Sequence, residues 1–205
     1  MKNDKATRIK ICGMRRKEDI EAANRCRPDY VGFILSKGFR RSVEPEEAGR
    51  LSEILDPGIR TVGVFVNEPV EAVAAAGFPD LIQLHGQEDN DYLARLREVT
   101  DKPVIQAFRI RGAGDLERAA ESTADILLLD NGTGTGQSFD WSLIRDIERP
   151  WILAGGLGPS NVAEAVRRFR PYAVDLSSGA ETDGLKDPEK MMLCVEAVRK
   201  SVSRT

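Results

Sequence analysis

Histidine and cysteine are scarce in this chain of 205 residues, which contains one histidine and three cysteines. Cys12, Cys26 and Cys194 are odd in number and widely spaced, so they make a poor disulfide framework, and we interpret them as thiols of a cytoplasmic protein. The single histidine, His85, excludes a zinc site built from several histidines, and the sequence has no Cys-x-x-Cys pair to replace one. We therefore expect no metal and no cofactor.

Positive charge and long apolar runs are also limited. The chain carries 30 basic and 33 acidic residues, a formal net charge of −3, which argues against bulk electrostatic binding to nucleic acid or to an anionic membrane. No stretch approaches the roughly 18 apolar residues that span a bilayer. The first residues, MKNDKATR, lack the apolar core of a secretory signal. We expect residues 1–7 to form a flexible leader and residues 8–205 a single domain whose partner is a small molecule.

Short apolar runs and amphipathic helical stretches alternate along that domain. The runs lack clean polar alternation, as do strands buried on both faces of a parallel sheet, and they lie at 8–12, 29–35, 59–66, 80–84, 103–108, 124–130, 150–155 and 171–177. The helical stretches lie at 16–26, 44–55, 68–76, 88–99, 115–122, 141–147, 159–169 and 187–200. Eight such pairs predict a (β/α)₈ barrel of the TIM-barrel class. An open doubly wound sheet is the alternative, but the first turn has no Gly-x-Gly-x-x-Gly.

The barrel prediction indicates where a site would lie, because active sites of this fold sit at the carboxyl ends of the strands. Polar residues and glycines do follow the predicted strands: Cys12, Ser36 to Arg41, Asn67, His85, Arg109, Asp130, Gly155 and Gly156, Asp175, and Ser177 to Gly179. Polar residues that were simply spread over the surface would not all follow the ends of strands.

Two glycine-containing loops are candidates for a phosphate site. Gly155 and Gly156 follow strand seven in LAGGLGPSNV, and Ser178 and Gly179 follow strand eight in VDLSSGAE. Backbone N–H groups exposed by such loops bind anions, and the loops after strands seven and eight commonly hold phosphate in this fold. The alternative is that the glycines only serve tight turns.

Cys12 and Asp130 are candidates for acid–base chemistry. A carboxylate at the inner end of a strand can act as a general acid, and a thiol placed beside a substrate proton can act as a base. The alternatives are a carboxylate that only bonds its own turn and a buried apolar cysteine. Cys26 and Cys194 fall within predicted helices, and we interpret them as packing residues.

Arg40, Arg41 and His85 complete the predicted rim. One of the two arginines could clamp a carboxylate with two parallel hydrogen bonds, although paired arginines are usually solvated surface charge. A single histidine is more often a local hydrogen-bonding group than a catalyst, so His85 remains open between a supporting role and none.

These motifs together resemble the phosphoribosylanthranilate isomerase family. The resemblance rests on KICGM, DYVGFIL with FRRSVEPEEA, VGVFVNEP, IQLHGQE, ILLLDNGTGTGQSFDW, ILAGGLGPSNV and AVDLSSGAE, which cover every predicted strand except the fifth, in order, across nearly the whole chain. It implies a small (β/α)₈ barrel that performs an Amadori rearrangement of N-(5-phospho-β-D-ribosyl)anthranilate in tryptophan biosynthesis.

The resemblance also implies roles for particular residues. Cys12 would be the general base, Asp130 the general acid and Arg41 the residue that binds the anthranilate carboxylate. The remaining family positions would bind phosphate at Gly155, Gly156, Ser178 and Gly179, or line the substrate pocket at His85 and Asp175. One departure is Gln137, where many members of the family have lysine.

Three alternatives remain at this point. Indole-glycerol-phosphate synthase would be expected to use lysine and glutamate at strand ends, and a histidine-pathway isomerase would be expected to pair two aspartates. A non-catalytic barrel that only binds a phosphosugar would not need both Cys12 and Asp130. The oligomeric state is left open between monomer and homodimer.

Overall fold

Eight parallel strands form a closed barrel in the computed structural model of the chain, which describes residues 6–130 and 147–202. The strands are β1 (Arg8–Cys12), β2 (Tyr30–Ile34), β3 (Arg60–Phe65), β4 (Leu81–Leu84), β5 (Val104–Arg109), β6 (Ile126–Asp130), β7 (Trp151–Leu153) and β8 (Ala173–Leu176). Each strand pairs with the next, and β8 pairs with β1. The predicted barrel class is thus confirmed.

Helices follow the strands around the outside of the barrel. They are α1 (Lys17–Cys26), α2 (Pro45–Glu53), α3 (Val70–Ala75), α4 (Asn90–Val99), α5 (Ala113–Glu121), α6 (Val162–Phe169) and α7 (Pro188–Val202). The helix predicted at 141–147 lies outside the described residues except for its last position, and so does Gln137. None of the helices in the described part of the chain has the length and apolarity of a membrane-crossing segment.

The strands separate two apolar layers. Successive strand residues point to opposite faces, so Ile9 and Ile11 pack outward among the helices while Lys10 and Cys12 face the barrel interior. The interior is filled by Cys12, Tyr30, Val62, Val64, Leu81, Ile105, Ile126, Leu128, Ile152, Ala154 and Ala173. Both strand faces are therefore buried, which is why the sequence shows apolar runs instead of polar alternation.

The chain departs from the simple strand–helix alternation after β8. Ser178–Ala180 forms one 3₁₀ turn, and a short antiparallel hairpin follows, with β9 (Glu181–Thr182) paired to β10 (Leu185–Lys186). Asp183 and Gly184 make its two-residue turn with φ of 50° and 77°. Asp-Gly is a frequent sequence at such turns, but the hairpin is not among the sequence-based expectations.

Thr7 belongs with the barrel, although the sequence interpretation assigned it to the leader. Its side chain is buried, and Oγ1 donates a hydrogen bond to the Pro171 carbonyl oxygen at 2.9 Å. This hydrogen bond holds the residue before β1 beside the residues before β8.

The apolar layer between the strands and the helices predicts that two leucine substitutions differ greatly in their effect on the free energy of unfolding. Leu96 on α4 is fully buried, whereas Leu193 on α7 is 54% exposed. We expect Leu96→Ala to lower the free energy of unfolding by about 2–5 kcal/mol, because it removes apolar contacts and leaves a cavity. The matched control Leu193→Ala should change it by less than about 0.5 kcal/mol. Urea unfolding followed by circular dichroism measures both, and equal losses would contradict this assignment of the layer.

Candidate active site

The carboxyl ends of the strands bring several of the predicted site residues to one mouth of the barrel. Cys12 is the last residue of β1 and Asp130 the last of β6, while His85 directly follows β4. Asp175 lies within β8, directly beside Lys10 of β1 in the strand register. Part of the rim predicted from the sequence therefore lies at one mouth of the barrel.

His85 faces Asp130 across the mouth. Its Nε2 lies 3.7 Å from Asp130 Oδ2, and its Nδ1 lies 2.9 Å from the amide nitrogen of Gln83. The ring of His85 therefore lies between the Gln83 amide on one side and the Asp130 carboxylate on the other. Gln83 thus orients His85 beside Asp130.

A buried ion pair lies beneath Cys12. Lys10 has no exposed surface, and its Nζ donates a hydrogen bond to Asp175 Oδ2 at 2.8 Å. Asp175 Oδ1 is also buried, and it accepts no hydrogen bond within the described residues. A buried carboxylate oxygen is seldom left unpaired, so this atom is a candidate acceptor for a ligand hydroxyl group.

Cys12 is buried, with only 7% of the residue exposed. Burial raises its pKa, while the nearby positive charge of Lys10 acts in the opposite direction without reversing the shift. In addition, the Ser177 hydroxyl donates a hydrogen bond to the Cys12 carbonyl oxygen at 3.2 Å, which ties the end of β1 to the end of β8.

Glu181 at the start of the hairpin is surrounded by positive charge. Arg41 holds it with two hydrogen bonds, from Nε to Oε1 at 2.6 Å and from Nη2 to Oε2 at 2.9 Å. Arg40 donates to Oε2 at 2.9 Å, and Lys186 donates to Oε1 at 2.7 Å. Three cations around one carboxylate leave a surplus of positive charge at this side of the mouth.

The position of Arg41 explains why the residue after Cys12, residue 13, is a glycine. Its φ is +92°, and a Cβ at this position would lie 2.6 Å from Arg41 Cδ. A side chain at position 13 would therefore be strained and would displace the arginine. Gly13 both turns the chain out of β1 and lets Arg41 lie over the end of that strand.

The two glycine-containing loops touch each other. Gly155 and Gly156 adopt φ of 92° and 64°, and a Cβ at Gly179 would overlap the carbonyl oxygen of Leu157. The loop after β7 and the turn after β8 therefore pack backbone against backbone. Asn161 holds the first loop, since its Nδ2 donates to the Gly156 carbonyl oxygen at 2.9 Å.

Four residues of the mouth were not anticipated from the sequence: Lys10, Gln83, Glu181 and Lys186. The first two had a visible signal, because each is a polar residue between two apolar residues of a strand run, RIKIC and DLIQL. Glu181 and Lys186 depend on the hairpin, whose Asp-Gly turn was the available signal. The described residues contain no group of three or more histidine, cysteine or acidic side chains arranged to hold a metal ion.

Fold and mouth together place the protein in the class of (β/α)₈-barrel enzymes, with ionisable side chains gathered at the carboxyl ends of the strands, where active sites of this fold lie. The family described as N-(5'phosphoribosyl)anthranilate (PRA) isomerase matches residues 9–197. The chain therefore belongs to the phosphoribosylanthranilate isomerase family.

Individual relatives agree with that assignment. N-(5'-phosphoribosyl)anthranilate isomerase of Thermoanaerobacter sp. is 46% identical over 94% of this chain and 98% of its own. A phosphoribosyl anthranilate isomerase in complex with reduced 1-(o-carboxyphenylamino)-1-deoxyribulose 5-phosphate is 36% identical, with a TM-score of 0.83 over 95% of this chain and 99% of its own. Monomers generated from the dimeric Thermotoga maritima enzyme are also 36% identical, with a TM-score of 0.84 over the same shares.

The charges around Glu181 predict a pH-dependent contribution to stability. Burial opposes ionisation of Glu181, but the hydrogen bonds from Arg41 and Lys186 outweigh it and lower its pKa to about 2. A depressed carboxyl pKa stabilises the fold above the unfolded pKa of about 4.3, and this stabilisation is lost as pH falls toward the folded pKa.

We therefore expect Glu181→Gln to be less stable than the parent chain at neutral pH, on the order of 1–3 kcal/mol, because it leaves buried donors poorly paired. The difference should stay constant above about pH 5 and shrink as pH falls further. Urea unfolding at several pH values measures it. Glu196→Gln, at an exposed pair with Lys200, is the control and should change stability by less than about 1 kcal/mol. A Glu181→Gln difference that does not depend on pH would contradict the assignment.

Proposed function

We propose that this chain converts N-(5-phospho-β-D-ribosyl)anthranilate into 1-(2-carboxyphenylamino)-1-deoxy-D-ribulose 5-phosphate by general acid–base catalysis. As a member of its family the chain is an isomerase of tryptophan biosynthesis. The observation that carries the proposed chemistry is the presence of a thiol, Cys12, and a carboxylate, Asp130, at strand ends of the same barrel mouth.

In the proposed mechanism Asp130 acts first. It protonates the furanose ring oxygen, the ring C–O bond breaks, and the nitrogen lone pair forms a Schiff base with the sugar C1. Cys12, as a thiolate, then removes the proton from C2, which yields an enolamine. The enolamine tautomerises to the ketone of the product. His85, whose Nε2 lies 3.7 Å from Asp130 Oδ2, is the nearby side chain that faces the proposed acid.

Asp175 and His85 are proposed to bind the sugar. Asp175 Oδ1, a buried acceptor with no hydrogen bond from the part of the chain that the structure describes, suits a ribose hydroxyl group, which donates a hydrogen bond. His85 lines the mouth with its side chain 38% exposed, so its ring is available to a substrate.

Arg41 is proposed to bind the anthranilate carboxylate. Its two donors facing Glu181 are occupied, but Arg40 and Lys186 share the same carboxylate, so the cluster as a whole remains positive. A second carboxylate next to Arg41 therefore meets net attraction, which a simple one-to-one ion pair would not provide.

The phosphate is proposed to sit on the two touching loops, at Gly155, Gly156, Ser178 and Gly179. In support, the two loops pack backbone against backbone after two adjacent strands, and helix α6 begins a few residues beyond the first loop. No side-chain cation is needed for this type of anion site.

The proposed partner is this small phosphoribosyl substrate, and the protein acts as a monomer or a homodimer. Because the Thermotoga maritima relative is dimeric, we expect the homodimer. A reducing cytoplasm is the proposed location, since Cys12, Cys26 and Cys194 are all free and buried thiols.

The acid and base roles predict a selective loss of turnover. We expect Cys12→Ala and Asp130→Asn each to lower kcat by roughly 10²–10⁴-fold with little change in KM, because each removes one proton-transfer group. The decrease in phosphoribosylanthranilate fluorescence, with the purified protein alone, measures the rate. Cys26→Ala, which removes a buried thiol from α1, is the matched control and should retain kcat. Near-normal turnover of Cys12→Ala would show the base assignment to be wrong, and a parent chain that binds but never converts the substrate would favour the non-catalytic alternative.

Arg41 and Arg40 form a second matched pair. We expect Arg41→Lys to raise KM about tenfold, a loss of about 1.4 kcal/mol, because an ammonium cannot form two parallel bonds with a carboxylate. Arg40→Lys should leave KM nearly unchanged, since Arg40 is 55% exposed. Steady-state kinetics distinguishes the two, and equal effects would mean that the carboxylate is not bound at Arg41 specifically.

A further inference from the structure

Lys10 is a fully buried charge that the proposed chemistry does not use. It sits inside the barrel with no exposed surface, and its ammonium contacts the Asp175 carboxylate at 2.8 Å. Lysine is almost never fully buried unless paired, and a buried ion pair is often no more stabilising than apolar side chains of similar volume. A methionine would fill the same space. Stability alone is therefore a weak reason for a lysine at this position.

The position of Lys10 links it to Cys12. The two residues are separated by one position on β1, so their side chains leave the same face of the strand. A Cβ at Gly32, on the neighbouring β2, would lie 2.8 Å from Cys12 Sγ and 3.1 Å from Lys10 Nζ. Because Cys12 Sγ and Lys10 Nζ both lie this close to one point, they are less than ~6 Å apart. A charge at that distance shifts the pKa of a neighbouring group.

The lysine also retains its charge. Burial alone would lower the pKa of Lys10, but the charges of Asp175 and Cys12 outweigh burial and raise it. Asp175 therefore does two things: it keeps Lys10 in the ammonium form, and it holds Nζ in place through a hydrogen bond.

We propose that Lys10 is a positioning residue for the isomerase reaction, whose ammonium, held by Asp175, favours the thiolate form of Cys12 and orients its Sγ. This inference rests on the proposed function, in which the thiolate takes the proton from the sugar C2. Lys10 itself does not touch the substrate and acts through Cys12.

Other charges facing Cys12 do not replace Lys10. Asp175 of β8 acts against the thiolate, whereas Lys186 of β10 acts in its favour but also neutralises Glu181. Arg41, from the loop after β2, interacts with Cys12 as well, yet it is bound to Glu181 and is the proposed ligand of the substrate carboxylate.

The test begins with the ionisation of the thiol in the absence of substrate. Replacing Cys26 and Cys194 by alanine leaves Cys12 as the only thiol of the chain. Its thiolate is then titrated by ultraviolet absorbance, after subtraction of the same protein carrying Cys12→Ser. In this background we expect Lys10→Met to raise the thiol pKa by about one to three units. The control Lys200→Met, which removes a lysine that is 76% exposed, should leave it unchanged.

Lys10→Met leaves the Asp175 carboxylate buried without its partner, which could disturb the fold. A second variant avoids this buried unpaired charge. The double variant Lys10→Met with Asp175→Asn removes both charges and retains a side chain of similar shape at each position. We expect the thiol pKa to rise here too, by less than in the single variant, because Lys10 influences Cys12 more strongly than Asp175 does. Circular dichroism confirms that the fold is retained.

The pH dependence of kcat/KM separates this inference from the proposed function. The ascending limb of this pH profile reports the pKa of the base in the free enzyme. Lys10→Met should therefore move that limb to higher pH, together with the thiol pKa. A thiol pKa that stays in place in both variants overturns the role of Lys10. A thiol pKa that rises while the limb stays in place overturns Cys12 as the base, and with it the catalytic part of this inference.

Discussion

The pairing of β8 with β1 closes the barrel, and the mouth of the barrel depends on that closure. It sets Lys10 directly beside Asp175, two residues separated by 165 positions along the chain. The same pairing brings the Ser177 hydroxyl to the carbonyl oxygen of Cys12. Without this closure, Cys12 would end an apolar strand with no charged neighbour from the far end of the chain.

Two buried charge clusters follow from the closed barrel. Lys10 and Asp175 form one cluster below Cys12, and Glu181 with Arg41 and Lys186 forms the other above it. Charges buried in this way are costly unless each finds a partner, so both clusters are closely hydrogen-bonded. The mouth therefore holds charged groups at defined positions in a medium where electrostatic interactions are stronger than in water, which suits proton transfer.

Much of the architecture was predictable from the sequence because its cause is local. Apolar runs buried on both faces and amphipathic stretches between them indicated the strands and most helices, and eight pairs indicated the barrel. Because the parallel strands of a barrel all end at the same mouth, Cys12, His85 and Asp130 were predictable as residues of one mouth before any distance was known. The hairpin after β8 was not anticipated, since its strands are only two residues long and carry no periodic pattern.

The sequence by itself determined which residue types stand at the strand ends, and through them the family and the expected chemistry. Only the tertiary structure decided what surrounds those residues. The burial of Lys10 against Asp175 and the hydrogen bonds between Glu181 and Arg41 are contacts between distant segments. Periodicity and turn signals describe a chain only over short distances, whereas these pairings depend on strand register and on a closed sheet.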